Sequence, residues 1–193
     1  MLNFLQHLSG IATLTSRYVK AVEGTETRIL DTRKTTPGWR KLEKYAVRCG
    51  GGHNHRMDLA EQVLIKENHL RCLGGSAGVT PAAVRRAVGM ARDGAPEGVK
   101  IEVEVENLQE LEAALEAGAD IVLLDNMEAQ QVEQAALKVA RRRDGGEFPR
   151  SEASGGITLD NVRDYAEAGA DRISIGALTH SPPALDLSIE LEL

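Results

Sequence analysis

Asn107-Leu-Gln-Glu-Leu-Glu-Ala-Ala-Leu-Glu-Ala-Gly-Ala-Asp-Ile-Val-Leu-Leu-Asp-Asn126 aligns without a gap on Thr158-Leu-Asp-Asn-Val-Arg-Asp-Tyr-Ala-Glu-Ala-Gly-Ala-Asp-Arg-Ile-Ser-Ile-Gly-Ala177. Each copy opens on a residue type that caps helix N-termini (Asn107, Thr158) and continues as an amphipathic helix to a glycine suited to a helix C-terminus (Gly118, Gly169). It then turns at Ala-Asp and enters a β-rich run. Both copies are therefore αβ units of one design, and strands joined through helices pair in parallel. The register puts Asp125 and Gly176 at equivalent strand ends, the carboxyl edge where barrels and open α/β sheets gather their chemistry.

Outward from the repeat, further β-rich runs occur at Arg28 to Thr32, Val63 to Lys66 and Lys100 to Val105, beside Ile121 to Leu124 and Arg172 to Ile175 within the repeat. Ser151 to Ser154 is hardly apolar and is assigned a strand from its place in the series. Helix-like or loop segments separate all of them, so the fold class is α/β. The composition agrees: 193 residues, 42% hydrophobic but only 3% aromatic, fill a core with Ala, Val, Leu and Ile, as helix-covered parallel strands require. A formal charge of -6 argues against a sequence-blind grip on nucleic acid. Cys49 and Cys72 stand in no C-x-x-C pair, and no apolar run reaches the roughly 18 residues of a membrane span, so reduced thiols in a cytoplasmic protein are expected. Leu2, Leu5, Leu8 and Ile11 form a helical stripe that needs a cover, as if the chain began within a longer protein.

The strand ends carry the candidate chemistry. Arg33, Lys34, His55, Arg56 and Lys66 are placed to converge on one mouth, where like charges need a bound polyanion to compensate them. Glu104 and Asp125, on adjacent strand ends, suit a divalent metal, directly or through water, or a sugar's hydroxyls; Glu102 shares the face of Glu104. Gly155-Gly156 and Gly176 allow backbone N–H groups to approach a phosphate. No G-x-x-x-x-G-K-[ST] or G-x-G-x-x-G string occurs, so an ATPase or a Rossmann dehydrogenase has no support. His53, His55 and His69 make a poor transition-metal set, lacking soft co-ligands and standing among cations.

Eight strings in order resemble the quinolinate phosphoribosyltransferase family: residues 2–15, Leu30-Asp-Thr-Arg-Lys-Thr-Thr-Pro-Gly38, Gly50-Gly-Gly-His-Asn-His-Arg56, Leu64-Ile-Lys-Glu-Asn-His69, Glu102-Val-Glu-Val105, Leu123-Leu-Asp-Asn126, Glu152-Ala-Ser-Gly-Gly-Ile157 and Ser174-Ile-Gly-Ala-Leu-Thr-His180. The resemblance implies an open TIM-like (β/α) barrel of the type II phosphoribosyltransferases and a cytoplasmic homo-oligomer built from dimers. It implies transfer of phosphoribose from phosphoribosyl pyrophosphate to quinolinate, with Mg2+ and no organic cofactor, giving nicotinate mononucleotide, pyrophosphate and carbon dioxide. By motif, Arg33, Lys34, His55, Arg56 and Lys66 resemble the grip on the two substrate carboxylates, with Lys34, Glu104 and Asp125 as the catalytic candidates. Glu104 and Asp125 resemble the acidic pair serving ribose and metal, and Ser154, Gly155, Gly156, Ser174 and Gly176 the phosphate cradle. Family members carry an N-terminal domain ahead of the matching segment, so residues 1–183 correspond to the barrel and 184–193 to a strand that packs on that domain. An enzyme acting on another anionic heteroaromatic acid, or a phosphate-binding barrel without turnover, stays open at this point.

Overall fold

The computed structural model describes residues 1–143 and 145–191. Its strands are β1 (Arg28–Leu30), β2 (Gln62–Ile65), β3 (Lys100–Val105), β4 (Ile121–Asp125), β5 (Arg150–Ser154) and β6 (Arg172–Ser174). All pair in parallel, in the order β1-β6-β5-β4-β3-β2. The helices are α1 (Leu2–Ala21), α2 (Arg40–Cys49), α3 (Glu67–Gly74), α4 (Pro81–Gly94), α5 (Leu108–Glu116), α6 (Ala129–Arg142), α7 (Val162–Glu167) and α8 (Ala177–His180). β1 and β2 do not pair, so the barrel is open there. The segment at His53 partly fills the opening: its N–H donates to the Ile29 carbonyl at 2.8 Å, and Asp31 N–H donates to the His53 carbonyl at 3.1 Å.

Alternation separates two interiors. Ile29, Ile101, Val103, Val122, Leu124, Ala153 and Ile173 point outward and are buried beneath the helices. Truncating one of them, such as Leu124→Ala, costs about 2–5 kcal/mol. The other face is polar: Gln62, Glu102, Glu152 and Ser174 are buried inside the barrel. Glu102 lies opposite Leu64 in the register, and Glu152 lies opposite Arg172.

The two repeats fold alike where their sequences agree. Gly118 and Gly169 both take positive φ, 79° and 86°, beyond the helix ends. Asp120 and Asp171 each accept a backbone N–H from the neighbouring strand, Ile101 and Ser151, at 2.8 Å. Their openings differ. Asn107 Oδ1 accepts from Gln109 and Glu110 N–H, a helix cap, whereas Thr158 N–H donates to Asn161 Oδ1 at 2.7 Å. A turn therefore precedes α7, which starts at Val162.

Strand boundaries differ by one or two residues from the sequence reading at β1, β2, β4, β5 and β6. β1 stops at Leu30 because the Asp31 carboxylate turns inward to accept His55 N–H, and β2 runs from Gln62 because Lys66 serves as the N-cap of α3. Strand β5, assigned from position alone, is present. Residues 184–191 form no strand; they cover α1, with Leu185 N–H donating to the Gln6 carbonyl at 3.1 Å and Gln6 Nε2 to the Leu187 carbonyl at 3.2 Å. The last two residues of that expected strand, Glu192 and Leu193, lie outside the described residues.

Candidate active site

The carboxyl ends of the strands surround a cavity of about 810 Å3. Arg33, Lys34, His55, Arg56 and Lys66 all line it, as do Asp125, Ser154, Gly155, Gly156, Ser174 and Gly176. Of the residues singled out in the sequence, Glu104 stands beside the cavity rather than on its wall. Lys66 Nζ donates to Glu104 Oε2 at 2.9 Å and Glu67 N–H reaches Oε1 at 3.3 Å. Burial and the neighbouring Glu104 charge push the Asp125 carboxyl above the usual carboxylate range, against the pull of Lys66 and Lys34. Such a pair of hard oxygen donors fits Mg2+, which keeps several of its waters.

On the basic side, the buried Nε of Arg33 has no hydrogen-bond partner among the described residues. Arg56 Nη1 donates to the Gln62 carbonyl at 2.7 Å, and burial together with Arg33 holds its guanidinium below the usual arginine value. Two guanidiniums thus stand close, one with an unused donor, which is what an incoming carboxylate would satisfy.

Two buried groups missed by the sequence reading set this wall. Lys44 Nζ donates to Asp31 Oδ1 and to the His55 carbonyl, the latter at 2.9 Å, while Asp31 Oδ1 also accepts His55 N–H at 2.8 Å. Burial pushes the Asp31 carboxyl up and the Lys44 amine down, each opposed by its partner. The pair fixes the path of residues 53–56, so His55 and Arg56 enter the mouth from a loop. A lysine in the middle of α2 reads as a solvated helix residue, and only the fold shows it buried.

His55 closes the base of the mouth. Its Nε2 lies 3.1 Å from Glu102 Oε2 and 3.3 Å from Glu152 Oε1, and Arg172 Nε lies 2.8 Å from Glu152 Oε2. Burial works against a charge on the ring, but the two carboxylates prevail and push the imidazole up to about 9. Arg56 N–H points at Nδ1 at 2.8 Å. That hydrogen bond needs an unprotonated Nδ1, so it opposes the second ring proton that the two carboxylates favour. Glu102 is held above the usual range by burial and by Glu152, and Glu152 below it by Arg172 and His55 despite its burial. His55, Glu102 and Glu152 have ligand atoms close enough for a metal. Arg172 and the Gln62 amide already take the carboxylates, so the cluster reads as an ion-pair network. The three histidines diverge: His53 leaves the mouth, and His69 Nδ1 accepts Lys66 N–H at 2.9 Å.

The glycines have steric roles. Gly155 has φ +95°, and a Cβ there would stand 2.2 Å from Asn126 Oδ1; one at Gly176 would stand 3.2 Å from Lys34 Cδ. Asn126 itself has φ 53°, donates N–H to the Ser154 carbonyl at 2.9 Å and donates Nδ2 to Asp125 Oδ2 at 2.8 Å. With His180, it is a mouth residue that had not been singled out; Asn after Asp at a strand end was the available signal.

Comparisons with known proteins follow this geometry. The family described as quinolinate phosphoribosyl transferase, C-terminal domain, matches residues 11–190. Nicotinate-nucleotide pyrophosphorylase [carboxylating] of Mycobacterium leprae is 44% identical over 191 residues, covering 99% of this chain and 63% of that protein. The Homo sapiens protein of the same name is 42% identical over 194 residues, covering 98% and 61%. The crystal structure of NadC from Streptococcus pyogenes superposes with a TM-score of 0.83 at 43% identity, over 98% of this chain and 61% of that one. The chain thus spans a little over three fifths of these relatives. With a match of that extent over nearly all its residues, the chain belongs to the quinolinate phosphoribosyl transferase C-terminal domain family.

Proposed function

We propose that this domain carries the barrel half of a site that transfers phosphoribose from phosphoribosyl pyrophosphate to quinolinate, releasing pyrophosphate and carbon dioxide. The observation that carries the reading is the convergence of Arg33, Lys34, Arg56 and His55 on the same cavity as Asp125 and the Ser154-Gly155-Gly156 and Ser174–Gly176 loops. Guanidinium, ammonium and imidazolium groups orient the two carboxylates so that the ring nitrogen faces the ribose C1. The C–N bond forms as the C–O bond to pyrophosphate breaks, and the carboxylates beside the ribose stabilise its oxocarbenium-like charge. The pyridinium then accepts the electron pair left when the adjacent carboxylate departs as carbon dioxide, and a proton from water replaces it. Bound Mg2+ supplies neutralisation of the pyrophosphate charge, and Glu104 and Asp125 are the residues that would hold it, directly or through water. No organic cofactor is required by this scheme.

The names of the relatives support the same reaction. A cytoplasmic homo-oligomer built from dimers belongs to this reading; among the described residues no helix is long and apolar enough to cross a membrane. The test is calorimetric titration with phosphoribosyl pyrophosphate and Mg2+, then quinolinate, with nicotinate mononucleotide followed by mass. Lys34→Ala should remove quinolinate binding and leave the sugar phosphate bound, and Asp125→Ala should weaken mainly the Mg2+-dependent sugar phosphate. If both variants bind as the parent does, the site assignment fails.

A further inference from the structure

The opposite end of the barrel holds a second collection of cations. β1, β3, β5 and β6 each begin with one: Arg28, Lys100, Arg150 and Arg172. The register puts all four on the inner face, Arg28 opposite Arg172, and Lys100 and Arg150 two residues before the inward Glu102 and Glu152. Together with His53 and Phe148 they line a cavity of about 260 Å3 that meets the mouth only at His55 and Arg56.

The acids nearby do not neutralise it. Glu147 takes Arg150 at 2.8 Å, Glu152 takes Arg172 at 2.8 Å, and Asp120 lies 3.7 Å from Lys100. With Glu61 these make four acids against five cations when Arg56 is included, and Asp120 is shared with Arg92 at 2.9 Å. Arg28 joins no ion pair among the described residues. Lys100 Nζ stands 3.9 Å over the Phe148 ring and the Arg150 guanidinium 5.6 Å from it, so the aromatic edge holds two of the cations in place. The positive field registers on His53, whose imidazole is held below its ordinary value by partial removal from water and then by Arg28 and Arg172.

We propose that this floor is an anion site in its own right, taking a small multivalent oxyanion of the phosphate class between Arg28, Arg172, Arg150 and Lys100. Water occupies about 30 Å3 per molecule, so the cavity admits a phosphate with several waters. The four cations lie at the end of the barrel opposite the mouth, and the proposal does not rest on the reaction proposed there.

The test uses the five histidines as local probes, with His53 at the floor and His180 at the mouth. Proton NMR titration of the chain with inorganic phosphate, against sodium chloride at equal ionic strength, separates binding from screening. Phosphate should raise the His53 midpoint by about one unit, a tenfold change in proton affinity, beyond the rise in chloride. Arg28→Gln with Lys100→Gln should abolish the extra rise at His53 and leave the response of His180 to phosphate intact. Arg28→Gln alone serves if the double variant does not fold. An equal rise in chloride, no rise, or an undiminished rise in the folded variant would overturn the proposal. Because His180 reports the mouth separately, failure at the floor leaves the mouth assignment standing.

Discussion

The mouth and the floor of this barrel are both cationic, but they hold their charges on different parts of the chain. Arg33, Lys34 and Arg56 at the mouth come from loops, beside Gly155 and Gly156 at φ 95° and 61°. The floor cations are the first residues of strands, fixed by the register of the sheet. A loop can close around a ligand, whereas a strand end offers a preset spacing. Between the two ends lies the network of Arg172, Glu152, His55 and Glu102, which belongs to both.

Breaking that shared layer should have the largest effect. Arg172→Met leaves Glu152 buried without its guanidinium, and loss of one partner of a buried pair costs about 3–5 kcal/mol. Urea unfolding should show that loss, while Arg28→Gln at the floor should stay within about 0.5 kcal/mol of the parent. Equal stabilities would mean that Arg172 is not structurally coupled to the barrel interior.

The same layer gives the protein a pH dependence. The His55 imidazole is raised to about 9 by Glu102 and Glu152 against burial. A raised histidine contributes stability that is complete below its unfolded value of about 6.5 and lost as pH rises through about 9. Unfolding free energy should therefore fall across that window by on the order of 3 kcal/mol, and Glu152→Gln should flatten the profile. A parent profile already flat from neutral to alkaline pH would show His55 neutral throughout, with Nδ1 kept as acceptor of Arg56 N–H.

The mouth can be changed without the floor at Gly155→Ala. The new Cβ meets Asn126 Oδ1 at 2.2 Å on a backbone of φ +95°, and strain of about 1–3 kcal/mol must be relieved by moving the Asp125-Asn126 turn. Sugar-phosphate affinity should fall about tenfold or more by calorimetry, with the His53 response to phosphate unchanged. A loss at both ends would show that the two sites are one.

These contrasts explain what could be read from the sequence. The repeat fixed αβ units and strand ends because its helix caps, C-terminal glycines and Ala-Asp turns are local features, and Asp120 and Asp171 do the same work in both copies. Most mouth residues were legible because they follow strands closely, and His55 and Arg56 because a Gly-Gly-Gly-His-Asn-His-Arg string stands in the connection before β2. Glu102, Glu152, Lys44 and Asp31 were not assigned their roles, since charged residues inside a barrel look like solvated ones until the register turns them inward. Glu104 keeps the strand parity expected of it, and Lys66 Nζ and Glu67 N–H hold its carboxylate beside the cavity. The floor escaped notice because its cations are spread over four strands, from Arg28 to Arg172, and only sheet order brings them together.

The smallest effect should come from the acidic pair at the mouth. Burial, then Glu104, raises the Asp125 carboxyl, so Asp125 takes its proton at a higher pH than an ordinary aspartate as the solution is acidified. Glu104→Gln removes the like charge and should lower the Asp125 midpoint, read by carboxyl 13C NMR, but only in part, because burial is the larger cause and remains. It should also free Lys66 Nζ from its 2.9 Å partner, adding a cation near Asp125 that lowers the midpoint further. Mg2+ affinity should nevertheless fall, since one of two oxygen donors is neutral. A lower Asp125 midpoint with weaker Mg2+ binding would mark the pair as acting together. A midpoint that stays where it was would mean that Lys66 already cancels the Glu104 charge, leaving Asp125 as the sole anionic contributor on this side of the mouth.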